Sequence, residues 1–174
     1  AHLSGVMEIR EVQPSTSPAM DIQVSSNFER LLFELSGKDS SWLSEAMREF
    51  RTEGFIALPP NILELLRISF EAGAASDQQV AETISELHST QQDFLDPHTA
   101  VGVNVARRFD SHNSPIAVMA TAHPAKFETA VADATGLNPP QPEEIAALAG
   151  IPERCTELGD DLNAVMEFVS SVSQ

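Results

Sequence analysis

The chain has 174 residues, the size of one domain, and 42% of them are apolar, enough to build a core. Lys and Arg total 10 against 26 Asp and Glu, a formal charge of −16, which argues against nucleic acid or an anionic membrane surface as a partner. A single cysteine, Cys155, excludes an intrachain disulfide, no apolar run approaches the ~18–20 residues of a membrane span, and a reducing cytoplasm is the expected compartment.

Val6 to Val12 alternates apolar and polar residues and reads as a short strand, followed by a turn-rich loop from Pro14 to Pro18. Ser26 or Asn27 is placed to cap a helix in which Phe28, Leu31, Leu32 and Leu35 fall on one face, with Gly37 as its stop. A second helix is predicted over Ser41 to Thr52, with Trp42, Leu43, Ala46, Met47 and Phe50 on one side and ended by Gly54, and Phe55 to Leu58 reads as a short strand stopped by Pro59 and Pro60. Asn61 to Phe70 is helical in pattern, with an extended end over Arg67 to Glu71 as the alternative. Another helix starts near Asp77 and carries Val80, Ile84 and Leu87 on its apolar stripe.

Asp96 is a good N-cap and Pro97 a good first helical residue, because the N–H that proline lacks would be unpaired there in any case. That helix is predicted to run to about Arg108. Ile116 to Ala120 is a continuous apolar run, the pattern of a strand buried on both faces. It leads into Thr121-Ala122-His123-Pro124, where Pro124 opens a helix through Asp133. Glu143 to Leu148 reads as a short helix and Arg154 to Leu158 as a last strand. Asp160 is placed to cap a closing helix bearing Leu162, Val165, Met166 and Val169. The fold class is therefore helix-rich α/β or α+β, with a few short or buried strands.

Most chemical constellations are weak. His98, His112 and His123 with Asp96, Asp110 and Asp133 match no metal-ligand spacing, and no metal is expected. There is no G-x-S-x-G elbow, no P-loop and no G-x-G-x-x-G. Thr121 stands out, as a hydroxyl at the end of an apolar run just before a helix start. Ligands of open α/β sheets sit at such places, so Thr121 either touches a ligand or caps the helix that follows.

Three segments carry a family resemblance. Ser17-Pro18-Ala19-Met20-Asp21-Ile22-Gln23-Val24-Ser25-Ser26-Asn27-Phe28-Glu29-Arg30 resembles a segment of threonine synthases that departs from it only in having Ser where Ala19 stands. Asp96-Pro97-His98-Thr99-Ala100-Val101-Gly102 and Thr121-Ala122-His123-Pro124-Ala125-Lys126-Phe127 resemble two more, in the family's order. The resemblance implies the C-terminal portion of a pyridoxal-phosphate enzyme of the tryptophan-synthase-β-like fold. Residues 1–174 would be that portion, with the part bearing the Schiff-base lysine and the phosphate loop lying elsewhere. It implies conversion of O-phospho-L-homoserine and water to L-threonine and phosphate, in threonine biosynthesis.

By position in its motif, Thr121 is implied as the partner of the pyridine nitrogen, a hydroxyl that leaves the nitrogen less protonated than a carboxylate would. Met20, Asp21, Ser26, Asn27 and Arg30 are implied on the substrate side, with loop ordering and helix capping as the structural alternative. Asp96, His98, His123 and Lys126 join the same group, Asp96 and His98 with capping as the alternative. Neither of the two lysines, Lys38 and Lys126, falls in the family's Schiff-base motif, and the eight glycines are too scattered to form a phosphate cradle. The chain alone is therefore expected to be inactive, with the N-terminal part of the same enzyme as its partner. A non-catalytic binding or regulatory module derived from the family, and an unrelated acidic interaction domain, are the competing readings.

Overall fold

The computed structural model describes residues 4–109 and 114–173. They divide into two compact units, 1–140 and 141–174. In the first, β1 (Val6–Glu8) pairs antiparallel with β2 (Phe55–Ala57), Met7 facing Ile56. A 3-10 turn follows at Pro18–Met20. Then come α1 (Ser26–Leu35), α2 (Ser40–Glu53), α3 (Pro60–Ser69), α4 (Asp77–Gln91) and α5 (Pro97–Ala106). A second 3-10 turn, Pro124–Phe127, leads into α6 (Glu128–Thr135).

The helix boundaries follow from local hydrogen bonding. Ser25 rather than Ser26 or Asn27 caps α1, accepting the Phe28 N–H. Asp39 caps α2 through the N–H groups of Ser41 and Trp42. Ser76 and Gln79 close a reciprocal capping box at the start of α4. α2 ends at Gly54, whose φ of 79° is left-handed and suits a residue without Cβ. Gly54→Ala is expected to destabilise the protein by about 1 kcal/mol in urea denaturation, from that backbone conformation alone, because no atom lies within 4 Å of the added Cβ.

Two apolar clusters form the core of this unit. Leu32, Leu43, Met47, Phe50, Ile56, Leu58, Ile62 and Leu66 join α1, α2, α3 and β2. Val80, Ile84, Ala100 and Val131 join α4, α5 and α6. The expected stripes of α1, α2 and α4 thus face inward, and the resulting helix-rich architecture is the expected class.

The strand expectations hold only in part. Val6 to Val12 pairs over just its first three residues, and Phe55 to Leu58 over Phe55–Ala57. Ile116 to Ala120 is not a strand; it is irregular and exposed, with Met119 77% exposed. Apolar content alone does not make a strand. A ladder needs a neighbour for its N–H and C=O groups, and β1–β2 is the sheet found among the described residues. The helix predicted from Pro124 divides into the 3-10 turn and α6.

The second unit contains α7 (Glu143–Ala146) and α8 (Leu162–Val172). Arg154 to Leu158 is again irregular and exposed rather than a strand. Asp161, not Asp160, caps α8 by accepting the Ala164 N–H at 2.8 Å. The predicted stripe of Leu162, Val165, Met166 and Val169 is present but exposed. Among the described residues, no helix is long and apolar enough to cross a membrane.

Candidate functional site

A buried polar network begins with the Asp96 cap. Asp96 is 1% exposed, His98 5% and Thr99 4%. One carboxylate oxygen, Oδ1, accepts the backbone N–H groups of His98 at 2.9 Å and Thr99 at 3.3 Å, the capping role predicted for it. The same oxygen lies 3.1 Å from His98 Nδ1. The other, Oδ2, accepts the Thr99 hydroxyl. A buried carboxylate facing four donors is well satisfied, which is the condition for keeping such a group out of water.

Those contacts fix the imidazole. Asp96 only accepts, so Nδ1 of His98 carries the hydrogen. Nε2 in turn accepts the Ala19 N–H at 3.2 Å. His98 is thereby held as the neutral Nδ1–H tautomer with both nitrogens occupied. Its ring also packs on Phe127, with centroids 4.5 Å apart. One side chain so ties together all three sequence segments: the turn at Pro18–Met20, the start of α5 and the turn at Pro124–Phe127.

Thr121 is joined to the same network. Its backbone N–H donates to Thr99 Oγ1 at 3.0 Å, and the two hydroxyl oxygens are 3.3 Å apart. The next helix is capped by His123, whose Nδ1 accepts the Ala125 N–H, so Thr121 does not spend its hydroxyl on capping.

Thr121 opens onto an apolar concavity of about 440 Å³. Its walls are Met20, Val101, Val105, Val118, Met119 and their neighbours, and among the described residues its polar side chains are His98 and Thr121. Glycine shapes it at one place in particular. A Cβ on Gly102 of α5 would stand 3.1 Å from Val118 Cγ1, so the bare backbone lets the 116–119 strip lie close against the helix. The run misread as a buried strand is therefore a wall of this concavity.

The other predicted residues separate into two sets. Met20 lines the concavity, and Asp21 lines an adjoining hollow that also includes Met20 and Val101. The Asp21 carboxylate accepts the Ser15 N–H and hydroxyl, so it orders the loop. Ser26, Asn27 and Arg30 lie on the exposed side of α1 and do not line the concavity. Arg30 donates to Asn27 at 2.9 Å. Lys126 is exposed, with its ammonium 5.6 Å from the Phe127 ring centroid, and does not line the concavity either. His123 is exposed. Asp110 and His112 lie outside the described residues. Elsewhere, no group of three or more His, Cys, Asp or Glu side chains is placed to hold a metal among the described residues.

Sequence reasoning passed over Thr99. The available signal was its position three residues after the Asp96 cap, where a side chain reaches back to the capping group.

The donor set fits one edge of a flat heteroaromatic cofactor. It offers one hydroxyl on an apolar wall, with no Lys or Arg side chain among the described residues that line the concavity.

The family model described as "Threonine synthase, C-terminal" matches residues 99–169. The threonine synthase of Pseudomonas aeruginosa is 42% identical over 161 residues, spanning 91% of this chain and 34% of that protein. The threonine synthase of Corynebacterium glutamicum is 34% identical over 163 residues, with the same coverage. The crystal structure of PLP-bound threonine synthase from Brucella melitensis superposes with a TM-score of 0.88 at 42% identity, covering 98% of this chain and 37% of that one.

Proposed function

The chain belongs to the threonine synthase family and spans about a third of the length of the relatives it matches, and we propose that it supplies the pyridine-nitrogen side of a threonine synthase active site. The reaction is the conversion of O-phospho-L-homoserine and water to L-threonine and phosphate, in the cytoplasm. Residues 1–174 act as the C-terminal portion, and the lysine and phosphate cradle come from the N-terminal part of the same enzyme. The carrying observation is Thr121, whose hydroxyl is free of capping duty and faces an apolar concavity.

Pyridoxal phosphate, when bound, supplies an electron sink for the carbanionic steps of such a conversion. This chain's own residues hold and orient the ring. Thr121 meets the ring nitrogen. Met20, Val101 and Val118 exclude water from one side of it. His98 fixes the Pro18–Met20 turn through Ala19, and so places Met20. Asp21 orders the loop behind that turn.

Two measurements test this reading. The 174-residue chain, mixed with pyridoxal phosphate and reduced with borohydride, should yield no specific adduct and no turnover. A specific adduct on Lys126 together with turnover of O-phospho-L-homoserine would overturn the division of labour. In the complete enzyme, Thr121→Val should lower turnover roughly tenfold, the worth of one hydrogen bond of about 1.4 kcal/mol, while the cofactor stays attached to its lysine. Full turnover in that variant would remove Thr121 from the site.

A further inference from the structure

The Pro18–Met20 turn satisfies its own N–H groups except one. Pro18 has no N–H, the Met20 N–H goes to the Ser17 carbonyl at 2.8 Å, and the Asp21 N–H goes to the Pro18 carbonyl at 3.2 Å. The Ala19 N–H therefore looks outside the turn, where it meets His98 Nε2 at 3.2 Å. The residues just before the turn are tied to α4: Asp77 Oδ1 accepts the Thr16 N–H at 3.2 Å and the Thr16 hydroxyl at 3.1 Å. His98 ties the turn to α5, and it does so one residue before Met20, which walls both the concavity and the adjoining hollow.

That tie needs a lone pair. An imidazole with its hydrogen on Nδ1 offers one at Nε2, whereas an imidazolium, or the other tautomer, would set N–H against N–H. We propose that His98 is a positioning residue that acts only in this state: Asp96 keeps the hydrogen on Nδ1, the Nε2 lone pair holds Met20 on the wall, and a second proton on the ring releases the turn. The proposal deepens, and rests on, the reading of the concavity as the ring side of the site. Ala19 is exposed, so water can take over its N–H once the imidazole lets go. Release therefore costs little stability and acts on where Met20 stands. The ionisable groups on the elements packed around the ring are Asp96 on α5, Asp21 after the first turn, and His123 and Lys126 at the second. Asp96 Oδ1 is 3.1 Å from Nδ1. The Asp21 carboxylate is taken up by Ser15, and His123 and Lys126 are exposed. Protonation would thus strengthen the contact with Asp96 while breaking the one with Ala19.

The test watches Met20. The complete enzyme is made with ¹³C-methyl methionine and loaded with pyridoxal phosphate, and the Met20 methyl signal is identified as the one lost in Met20→Leu. His98→Asn sets an N–H₂ where Nδ1 stood, toward Asp96, but is too short to reach Ala19. His98→Gln reaches Ala19 with an oxygen in place of Nε2 and gives up the contact with Asp96. The His98→Asn variant should displace the Met20 signal and lower turnover roughly fivefold, the worth of one neutral hydrogen bond. The His98→Gln variant should hold the wild-type signal and most of the turnover. A merely structural role would make the signal follow stability in urea instead. In the wild type, lowering the pH should move the Met20 signal in step with the ring signals of His98, and in the His98→Gln variant the Met20 signal should stay. An unmoved signal in the His98→Asn variant, equal displacement in both variants, or a wild-type signal that ignores the protonation of His98 would overturn the proposal. If removing pyridoxal phosphate leaves the wild-type Met20 signal in place, the cofactor does not sit against Met20 and the reading of the concavity falls, while the two His98 variants still decide the tie to Ala19.

Discussion

Asp96→Ala is expected to destabilise the protein by about 4 kcal/mol. Three losses add. The α5 cap disappears, worth about 1 kcal/mol and orphaning the N–H groups of His98 and Thr99. The Thr99 hydroxyl loses its acceptor in a buried place, and so does the Nδ1–H of His98. Each stranded donor costs about 1–3 kcal/mol. Asp96→Asn keeps one acceptor oxygen for the cap and for His98, so it should cost only about 1 kcal/mol. The difference between the two variants separates the network from the mere presence of a side chain. It should be visible in urea denaturation as a much lower midpoint for Asp96→Ala at an unchanged slope. Equal and small losses in both variants would mean that water replaces the carboxylate at little cost. The consequence would reach beyond stability, because His98 would no longer be held against Ala19 and the Pro18–Met20 turn would lose its strut.

That network also shows what could be read from the chain beforehand. Asp96 as N-cap and Pro97 at the first helical position needed only local rules, and both are where those rules put them. The stripe positions of α1, α2 and α4 were equally legible, because helical period and burial agree there. The Ile116–Ala120 strip failed for a non-local reason. Its composition fits a strand, but a strand is defined by its neighbours, and those are set by the rest of the architecture. The Thr99–Thr121 contact was invisible for the same reason, since it joins residues 22 apart through a packing of elements that no local pattern encodes. The cap errors of a single residue, Ser25 for Ser26 and Asp161 for Asp160, reflect competing side chains at adjacent positions that can each accept the same N–H groups.

Phe50→Ala should be the most damaging single truncation in the first apolar cluster, at about 3–5 kcal/mol. Phe50 is fully buried on α2 in the cluster that joins that helix to α1, α3 and β2. Removing the ring deletes its transfer energy and leaves a cavity that helices on several sides cannot all close. Phe50→Leu keeps most of the volume and should cost about 1–2 kcal/mol. The location of the loss matters as much as its size. The clusters around Phe50 and around Ile84 share no residue, and Asp96, the cap of α5, stands next to Leu95, which packs on the second. Partial opening of the first cluster should therefore speed amide exchange in α1, α2, α3 and β2 more than in α4, α5 and α6. The same separation predicts that Phe50→Ala and Asp96→Asn combine additively, within about 0.5 kcal/mol. A coupling well above that, or exchange rising equally in α1 through α6, would show that the two clusters behave as one cooperative core. The Thr121 network would then draw its rigidity from the α1–α3 packing as well as from its own hydrogen bonds.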